Sequence, residues 1–353
     1  MSSYDPEPQK LWIETPCIPS PALSRAAGCN IFLKLENLQP SGSFKSRGVG
    51  TMMYRAMLAQ AADKVHFYCS SGGNAGLACA TAAAVLGQPC TIVVPLSTSA
   101  LIVDKLRLLG ASVHQIGMHW AQADAHLRTN LVAHDPVGIY VPPFDHPDIW
   151  EGASTIVDEL SSAPAPSTID CIVCSCGGGG LLNGIMEGVE RNYRCKEWEW
   201  GEEEGRERKK RRPMVLAVET FGADSLNVSV RAGHHVTLPE ITSIATSLGA
   251  QRVSERTFRW AREAPYLKNE VVTDAEAVMG SCRFADDARL LVEVACGATI
   301  AAVLNGHLRR VMIMEGEVRS EEEWRRKNVV VIVCGGSNVT LELLRKYKET
   351  YGV

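Results

Sequence analysis

Short apolar, β-branched runs alternate with helix-length segments along most of this chain, and that alternation narrows what it can fold into. The runs are Val65–Cys69, Cys90–Val94, Ser112–Ile116, Ile139–Val141, Ile169–Cys174, Met214–Val218 and Val329–Val333. Between them lie stretches such as Ala75–Leu86, Ala100–Leu109, Trp120–Ala133 and Leu181–Glu190. Strands separated by helices build βαβ units, whose parallel strands are covered on both faces and therefore read as continuous apolar runs. The expected fold class is α/β, with mostly parallel twisted sheets flanked by helices. With 353 residues, 46% of them hydrophobic, the chain can fill two domains.

Charge and cysteine usage exclude several functions. A formal net charge of −4 gives no electrostatic reason to expect nucleic acid or an anionic membrane as partner. Met1–Lys10 is polar and has no apolar segment of a secretory signal, and the apolar stretch Ala75–Leu86 is too short to span a bilayer. The twelve cysteines lack framework spacing and read as free thiols of a reducing compartment, which makes the expected location cytoplasmic. Cys171, Cys174 and Cys176 contain a CxxC, but no second pair or histidine partner follows, so a buried strand is the better reading than a zinc site. The nine histidines include no HExxH pair. Ser161–Ser167 reads as a surface loop. Cys195–Pro213 is a charged segment in which Glu202-Glu203-Glu204 nearly offsets the basic run that follows; it is expected to be a mobile, non-catalytic insertion.

Four turns carry the chemistry. In Ser41-Gly42-Ser43-Phe44-Lys45-Ser46-Arg47-Gly48, a break after the strand-like run Ile31–Leu35 leads into a helix through Met52, Met53 and Tyr54, with Ser43 as its expected cap. Lysine in a first helical turn feels the positive end of the helix dipole, which favours the neutral amine that Schiff-base chemistry needs. Ser70-Ser71-Gly72-Gly73-Asn74-Ala75-Gly76 joins a strand to an alanine-rich helix, an arrangement that presents backbone N–H groups to an anion. Taken alone, it reads better as a simple Ser/Gly turn with Asn74 as cap. Gly177-Gly178-Gly179-Gly180 costs much chain entropy and points to a close approach by a phosphate. It does not match the GxGxxG dinucleotide fingerprint. Cys334-Gly335-Gly336-Ser337-Asn338 follows a strand whose carboxyl end is where open α/β sheets bind ligands.

With its lead-in Lys34-Leu35-Glu36-Asn37-Leu38-Gln39-Pro40, the lysine motif resembles that of fold-type II pyridoxal-phosphate enzymes (tryptophan synthase β-like). Among these the chain looks most similar to the L-serine/L-threonine dehydratases, and the resemblance runs from Thr15-Pro16 to near the C-terminus. It implies a small domain, residues 39–143, inserted in a large cofactor-binding domain formed by residues 1–38 and 144–353. It also implies pyridoxal 5'-phosphate on Lys45, with Phe44 packed at its ring. Ser71, Gly72, Asn74 and Ala75 would hold the substrate carboxylate, with Asn74 also on the cofactor's ring oxygen. Gly177, Gly178, Gly179 and Gly180 would hold the phosphate, and Cys334, followed by Gly335, would face the pyridine nitrogen. A potassium ion would take the Glu219 carboxylate and carbonyls of Ala223, Leu248, Ala250 and Gly177; read without the resemblance, Glu219 is an ordinary strand-end carboxylate. Pro142-Pro143-Phe144-Asp145 and Ile149-Trp150-Glu151-Gly152 resemble the family's return into the large domain.

The implied activity is a carbon–nitrogen lyase that converts L-serine to pyruvate and ammonia, and L-threonine to 2-oxobutanoate. Allosteric biosynthetic members carry a C-terminal regulatory domain, whereas this chain stops at Val353, soon after its last motif, which favours the catabolic role; a homodimer is expected as well. Members vary between Ala and Gly at Gly72, and their connection at Cys195–Pro213 is much shorter. The rivals are serine racemase and other enzymes of the same fold, against which Cys334 argues, and a pyridoxal-phosphate- or nucleotide-binding regulator without turnover.

Overall fold

The structure is a computed structural model. It describes residues 10–60, 64–163, 166–193 and 211–353, so most of the charged segment Cys195–Pro213 lies outside the described residues. The strands, in chain order, are β1 (Cys17–Pro19), β2 (Asn30–Lys34), β3 (His66–Cys69), β4 (Cys90–Val94), β5 (Ser112–Gln115), β6 (Gly138–Tyr140), β7 (Cys171–Ser175), β8 (Met214–Thr220), β9 (Leu267–Val272) and β10 (Asn328–Ile332). They divide between two compact units.

One unit holds Gln39–Ser41, Lys45–Gly152 and the segment ending at Glu14. Its sheet is fully parallel, in the order β5-β4-β3-β6. The alanine-rich helix Asn74–Leu86 follows β3 and ends at Gly87, whose φ of 64° is a left-handed cap that glycine adopts without steric cost. Leu77, Ala78, Cys79 and Ala82 from this helix join Phe67, Ile92 and Val94 in the core. Ala100–Leu108 is helical, as its apolar pattern suggests. The stretch after Trp120 departs from a single helix. An α-helix covers only Trp120–His126, Leu127–Leu131 is a π turn and Val132–His134 a 3-10 turn.

The other unit holds Thr15–Leu38, Gly42–Phe44 and Ala153–Val353. Its six strands run in the order β1-β2-β10-β7-β8-β9, all parallel except the β1 edge. β7 and β8 are buried at every position, as expected for strands covered on both faces. Cys171, Cys174 and Cys176 are buried in this core, where desolvation pushes their thiols up. The helices Asp274–Ala288 and Val294–Leu304 pack through glycine. A Cβ on Gly280 would lie 2.2 Å from Gly297 O, and one on Gly297 would lie 2.2 Å from Ala277 O.

Two local expectations need correction. The helix begins at Lys45, and Ser43 does not cap it: its Oγ is buried without a hydrogen-bond partner among the described residues, and its backbone forms an antiparallel bridge with Gly335. Ser46 in the first turn reaches back instead, with its Oγ accepting from Ser41 N at 3.1 Å and lying 2.8 Å from Ser41 Oγ. At Ser161–Ser167, the first two residues close the helix Pro147–Ser162, because both hydroxyls donate to the Asp158 carbonyl, at 2.8 and 2.7 Å.

Candidate active site

Candidate site residues fall in both units. In the first, Lys45 is the first residue of the helix Lys45–Ala59 and is half-buried. Its Nζ donates to the Pro143 carbonyl at 2.7 Å, so the amine is held in one place rather than extended into solvent. That helix packs closely through glycine as well: a Cβ on Gly48 would meet Ile149 O at 2.5 Å, and one on Gly152 would meet Arg47 O at 2.4 Å.

The Ser71–Ala75 turn lies at the carboxyl end of β3 and opens the helix Asn74–Leu86, whose N-cap is Gly73 without a side-chain cap. Uncapped N–H groups at a helix start suit an anion. Ser71 Oγ accepts from Gly73 N at 3.2 Å, and Leu77 N donates to Gly73 O at 3.1 Å. Gly76 must be glycine: a Cβ there would lie 1.9 Å from Ser71 O. Gly72 is tight rather than impossible, with Thr98 Cγ2 3.0 Å from its added Cβ. Asn74 and Ala75 are buried.

In the second unit, the turn Cys176–Gly179 joins β7 to the helix Gly180–Asn192, which has no side-chain cap. Gly179 has φ of 100°, and a Cβ on it would lie 1.8 Å from Thr257 Oγ1. A buried polar triangle supports the turn. Asn183 Nδ2 donates to Ser254 Oγ at 2.9 Å, Thr257 Oγ1 donates to Asn183 Oδ1 at 2.9 Å, and the two hydroxyls are 2.9 Å apart. Ser254 N closes onto Gly178 O at 2.9 Å. No one of Asn183, Ser254 and Thr257 stands out in the sequence, because each is a common helix-end residue.

Cys334 lies two residues beyond β10 and is buried. Ser175 Oγ donates to its sulfur at 3.3 Å, and Phe44 N donates to its carbonyl at 3.1 Å. A hydrogen bond from the Cys296 thiol, and the one from Ser175, draw the Cys334 thiol down against the effect of burial, while Cys296 as donor is pushed up. Gly335 and Gly336 have φ of 86° and 114°. A Cβ on Gly335 would lie 2.4 Å from Gly42 O, and one on Gly336 would lie 2.3 Å from Glu293 Cδ. Phe44 packs against this unit's core.

Glu293 is a residue that the sequence reading passed over. It is buried, and its carboxylate accepts from Ser247 Oγ and, at 2.8 Å, from Asn338 N. Its only sequence signal is an acid just before an apolar helix. Through it the cysteine turn and the turn at Thr246–Leu248 are joined, and the latter abuts Gly177, whose Cβ would lie 3.0 Å from Leu248 Cα. Glycine turn, cysteine turn and Leu248 turn thus form one cluster at the carboxyl ends of β7 and β10.

Glu219 lies in β8 and is fully buried. Burial pushes its carboxyl up to about 8, although Leu226 N and Asn227 N donate to its two oxygens at 2.9 and 2.8 Å. Ala223 forms a bridge with Thr220, and Ala250 N donates to Leu248 O at 2.7 Å. Among the described residues no group of three or more histidine, cysteine, aspartate or glutamate side chains could hold a metal. Any cation here would rest on one carboxylate and backbone carbonyls, which is an alkali-metal ligand set rather than a transition-metal one.

This donor set fits pyridoxal phosphate. A glycine turn at an uncapped helix start suits a phosphate dianion. Asn37 Oδ1, Ser43 Oγ and Asn338 Oδ1, which belong to the segments around Gly335, are buried without partners among the described residues and so lack the hydrogen bonds a polar ligand would supply. A lysine at a helix start, a glycine turn at an uncapped helix start and mostly parallel α/β sheets are what a pyridoxal-phosphate enzyme class would need. Residues 9–335 match the family model described as pyridoxal-phosphate dependent enzyme, and the chain belongs to that family. It is 41% identical over 345 residues to human L-serine dehydratase/L-threonine deaminase, covering 98% of this chain and 97% of that protein. It is 42% identical to the Bos taurus protein of the same name, covering 97% of each. The crystal structure of a fungal L-serine ammonia-lyase from Rhizomucor miehei superposes with a TM-score of 0.82 at 34% identity, covering 97% of this chain and 100% of that one.

Proposed function

We propose that the protein deaminates L-serine to pyruvate and ammonia, and L-threonine to 2-oxobutanoate, by α,β-elimination. The observation that carries this reading is 41% identity over 98% of the chain to a protein named for both activities. Bound pyridoxal phosphate supplies the electron sink for Cα deprotonation, and the protein supplies orientation and electrostatics. Lys45 would anchor the cofactor, and its Nζ would take the Cα proton of the substrate. The turn Ser71–Ala75 orients the substrate carboxylate with backbone N–H groups. Asn74 would steady the cofactor ring, Gly177–Gly180 would hold its phosphate, and Phe44 would pack at the ring. Cys334, whose sulfur accepts the Ser175 hydroxyl, would be the group for the ring nitrogen. A homodimer in the cytoplasm completes the reading. Among the described residues no helix is long and apolar enough to cross a membrane.

The test is product analysis with the cofactor-loaded protein. L-Serine should give equimolar pyruvate and ammonia, and L-threonine should give 2-oxobutanoate. Conversion of L-serine to D-serine without keto acid would replace this reading with a racemase, and no turnover of either substrate would leave a binder.

A potassium ion at Glu219 belongs to the same proposal, with Ala223, Leu248, Ala250 and Gly177 carbonyls as its other ligands. Burial favours the neutral acid of Glu219, and among the described residues no cationic side chain acts on it, so a bound cation is what would hold its ionised form. A site filled to roughly 10–100 times its dissociation constant adds about 1.4–2.7 kcal/mol, or on the order of 2–4 °C in Tm for a chain of this length. Exchanging potassium for tetramethylammonium should lower the native Tm by that amount and leave Glu219→Gln unmoved. Equal responses from the two proteins would remove Glu219 from the cation site.

A further inference from the structure

Ser70, one residue before the Ser71–Ala75 turn, is fully buried, and its Oγ donates to Asp124 Oδ1 at 2.5 Å. The same oxygen accepts from Tyr140 OH at 2.7 Å, while Asp124 Oδ2 accepts from Arg128 Nε at 2.9 Å. Three pieces of chain converge here: Ser70 after β3, the continuous helical stretch Trp120–Leu131 that carries Asp124 and, four residues on in its π turn, Arg128, and Tyr140 in β6. β6 is also the neighbour of β3, with Tyr140 opposite Tyr68. The Arg128 guanidinium lies over the Tyr140 ring, 4.0 Å from its centroid. Burial, and then the hydrogen bond to Asp124, push the Tyr140 hydroxyl up to about 12, so it stays a donor across the working pH range.

A buried carboxylate receiving two hydroxyls and a guanidinium is more than a tight strand end requires. Ser71-Gly72-Gly73 is otherwise a run of small residues with much conformational freedom, and a ligand that bound it would have to order it. Isolated π turns inside helices recur at functional sites, and here the π turn carries the arginine that neutralises Asp124. We infer that Asp124 is a positioning residue for substrate: through Ser70 it fixes the start of the turn, so that the backbone N–H groups after Ser71 are set for an amino-acid carboxylate before it arrives. Arg128 and Tyr140 hold Asp124 in turn. This rests on the proposed role of the turn in substrate binding.

A turn that grips the carboxylate equally before and during reaction lowers KM without raising kcat. Ser70→Ala removes one hydroxyl from a fully buried site and Asp124→Asn removes the charge. Each should raise the KM for L-serine about tenfold, the scale of one charge-assisted hydrogen bond. kcat and cofactor absorption should stay near native, and Tm should fall by no more than a few degrees. The double variant should be no worse than about twofold beyond the poorer single one, because both changes break one link. Amide hydrogen exchange in residues 70–76 of the cofactor-loaded protein, without substrate, should rise in both variants. Should Asp124→Asn fold poorly, Ser70→Ala alone still decides. A native KM in Ser70→Ala, or equal loss of kcat and cofactor binding, overturns the inference while an active native enzyme leaves the function standing. If the native protein proves inactive, the proposed function falls; the inference then holds only if L-serine shifts the cofactor absorption at about tenfold lower concentration in the native protein than in Ser70→Ala, and an equal midpoint overturns it.

Discussion

Lys45→Ala is expected to abolish serine and threonine deamination, by about 10⁴-fold or more, in a protein that remains folded. The size of the effect follows from two roles on one atom, since the Nζ is assigned both the anchoring of the cofactor and the transfer of the Cα proton. The small effect on folding follows from the surroundings. Lys45 is half-buried at a helix start, and its amine meets the Pro143 carbonyl rather than the core. Loss of that bond should cost no more than about 1 kcal/mol. The variant should also lose the visible absorption of the bound cofactor, while its melt in the cofactor-free state matches that of the native chain. Pyruvate production above a few per cent of native would sink the assignment of Lys45.

Gly179→Ala should produce the second large effect, on the phosphate end. Glycine is required there twice over. The φ of 100° disfavours any side chain, and the new Cβ would sit 1.8 Å from Thr257 Oγ1. Thr257 cannot swing away freely, because its hydroxyl belongs to the buried triangle with Asn183 and Ser254. Backbone strain of about 1–3 kcal/mol and a similar cost of overpacking must be relieved by moving the turn that would cradle the phosphate. Cofactor affinity should fall about 100-fold or more, measured by titrating the cofactor-free variant. Gly87→Ala is the control: its φ of 64° carries similar strain, but nothing lies within 4 Å of its added Cβ. It should lose about 1 kcal/mol of stability and bind cofactor as the native chain does. Equal affinities in Gly179→Ala and Gly87→Ala would show that the glycine turn is not where the phosphate binds.

Much of the fold could be read from the sequence because parallel strands covered on both faces, such as β7 and β8, are apolar along their length, whereas β9 at a sheet edge, with Lys268, Asn269 and Glu270, gives no such signal. Cys90–Val94 is a strand with the expected bounds, and the other apolar runs became strands whose ends shifted by only a few residues. Lys45 was legible as the start of a helix, and the glycine turn as the start of another, since both depend on local chain chemistry. What could not be read depends on distant partners. Ser43 has the composition of a cap, yet its backbone is committed to Gly335, nearly three hundred residues away. The run from Trp120 looks like one helix, and nothing local marks the π turn at Leu127–Leu131. Gly280 and Gly297 read as helix-weakening residues until their backbones are seen to touch. Asp124 and Glu293 were invisible for the same reason, because each is a single acid whose partners come from other elements. Glu219 was legible only as a strand-end carboxylate, whereas its complete burial is a property of the sheet around it.

Borohydride reduction followed by peptide mapping tests the central claim most directly. Hydride fixes pyridoxal phosphate irreversibly onto whichever lysine holds it, so the label reports position independently of turnover. The cofactor-loaded protein should carry one pyridoxyl group, on the peptide containing Lys45, and brief incubation with L-serine before reduction should diminish that label as pyruvate appears. A label on another lysine, such as the buried Lys34, or undiminished labelling of Lys45 while pyruvate accumulates, would contradict the account.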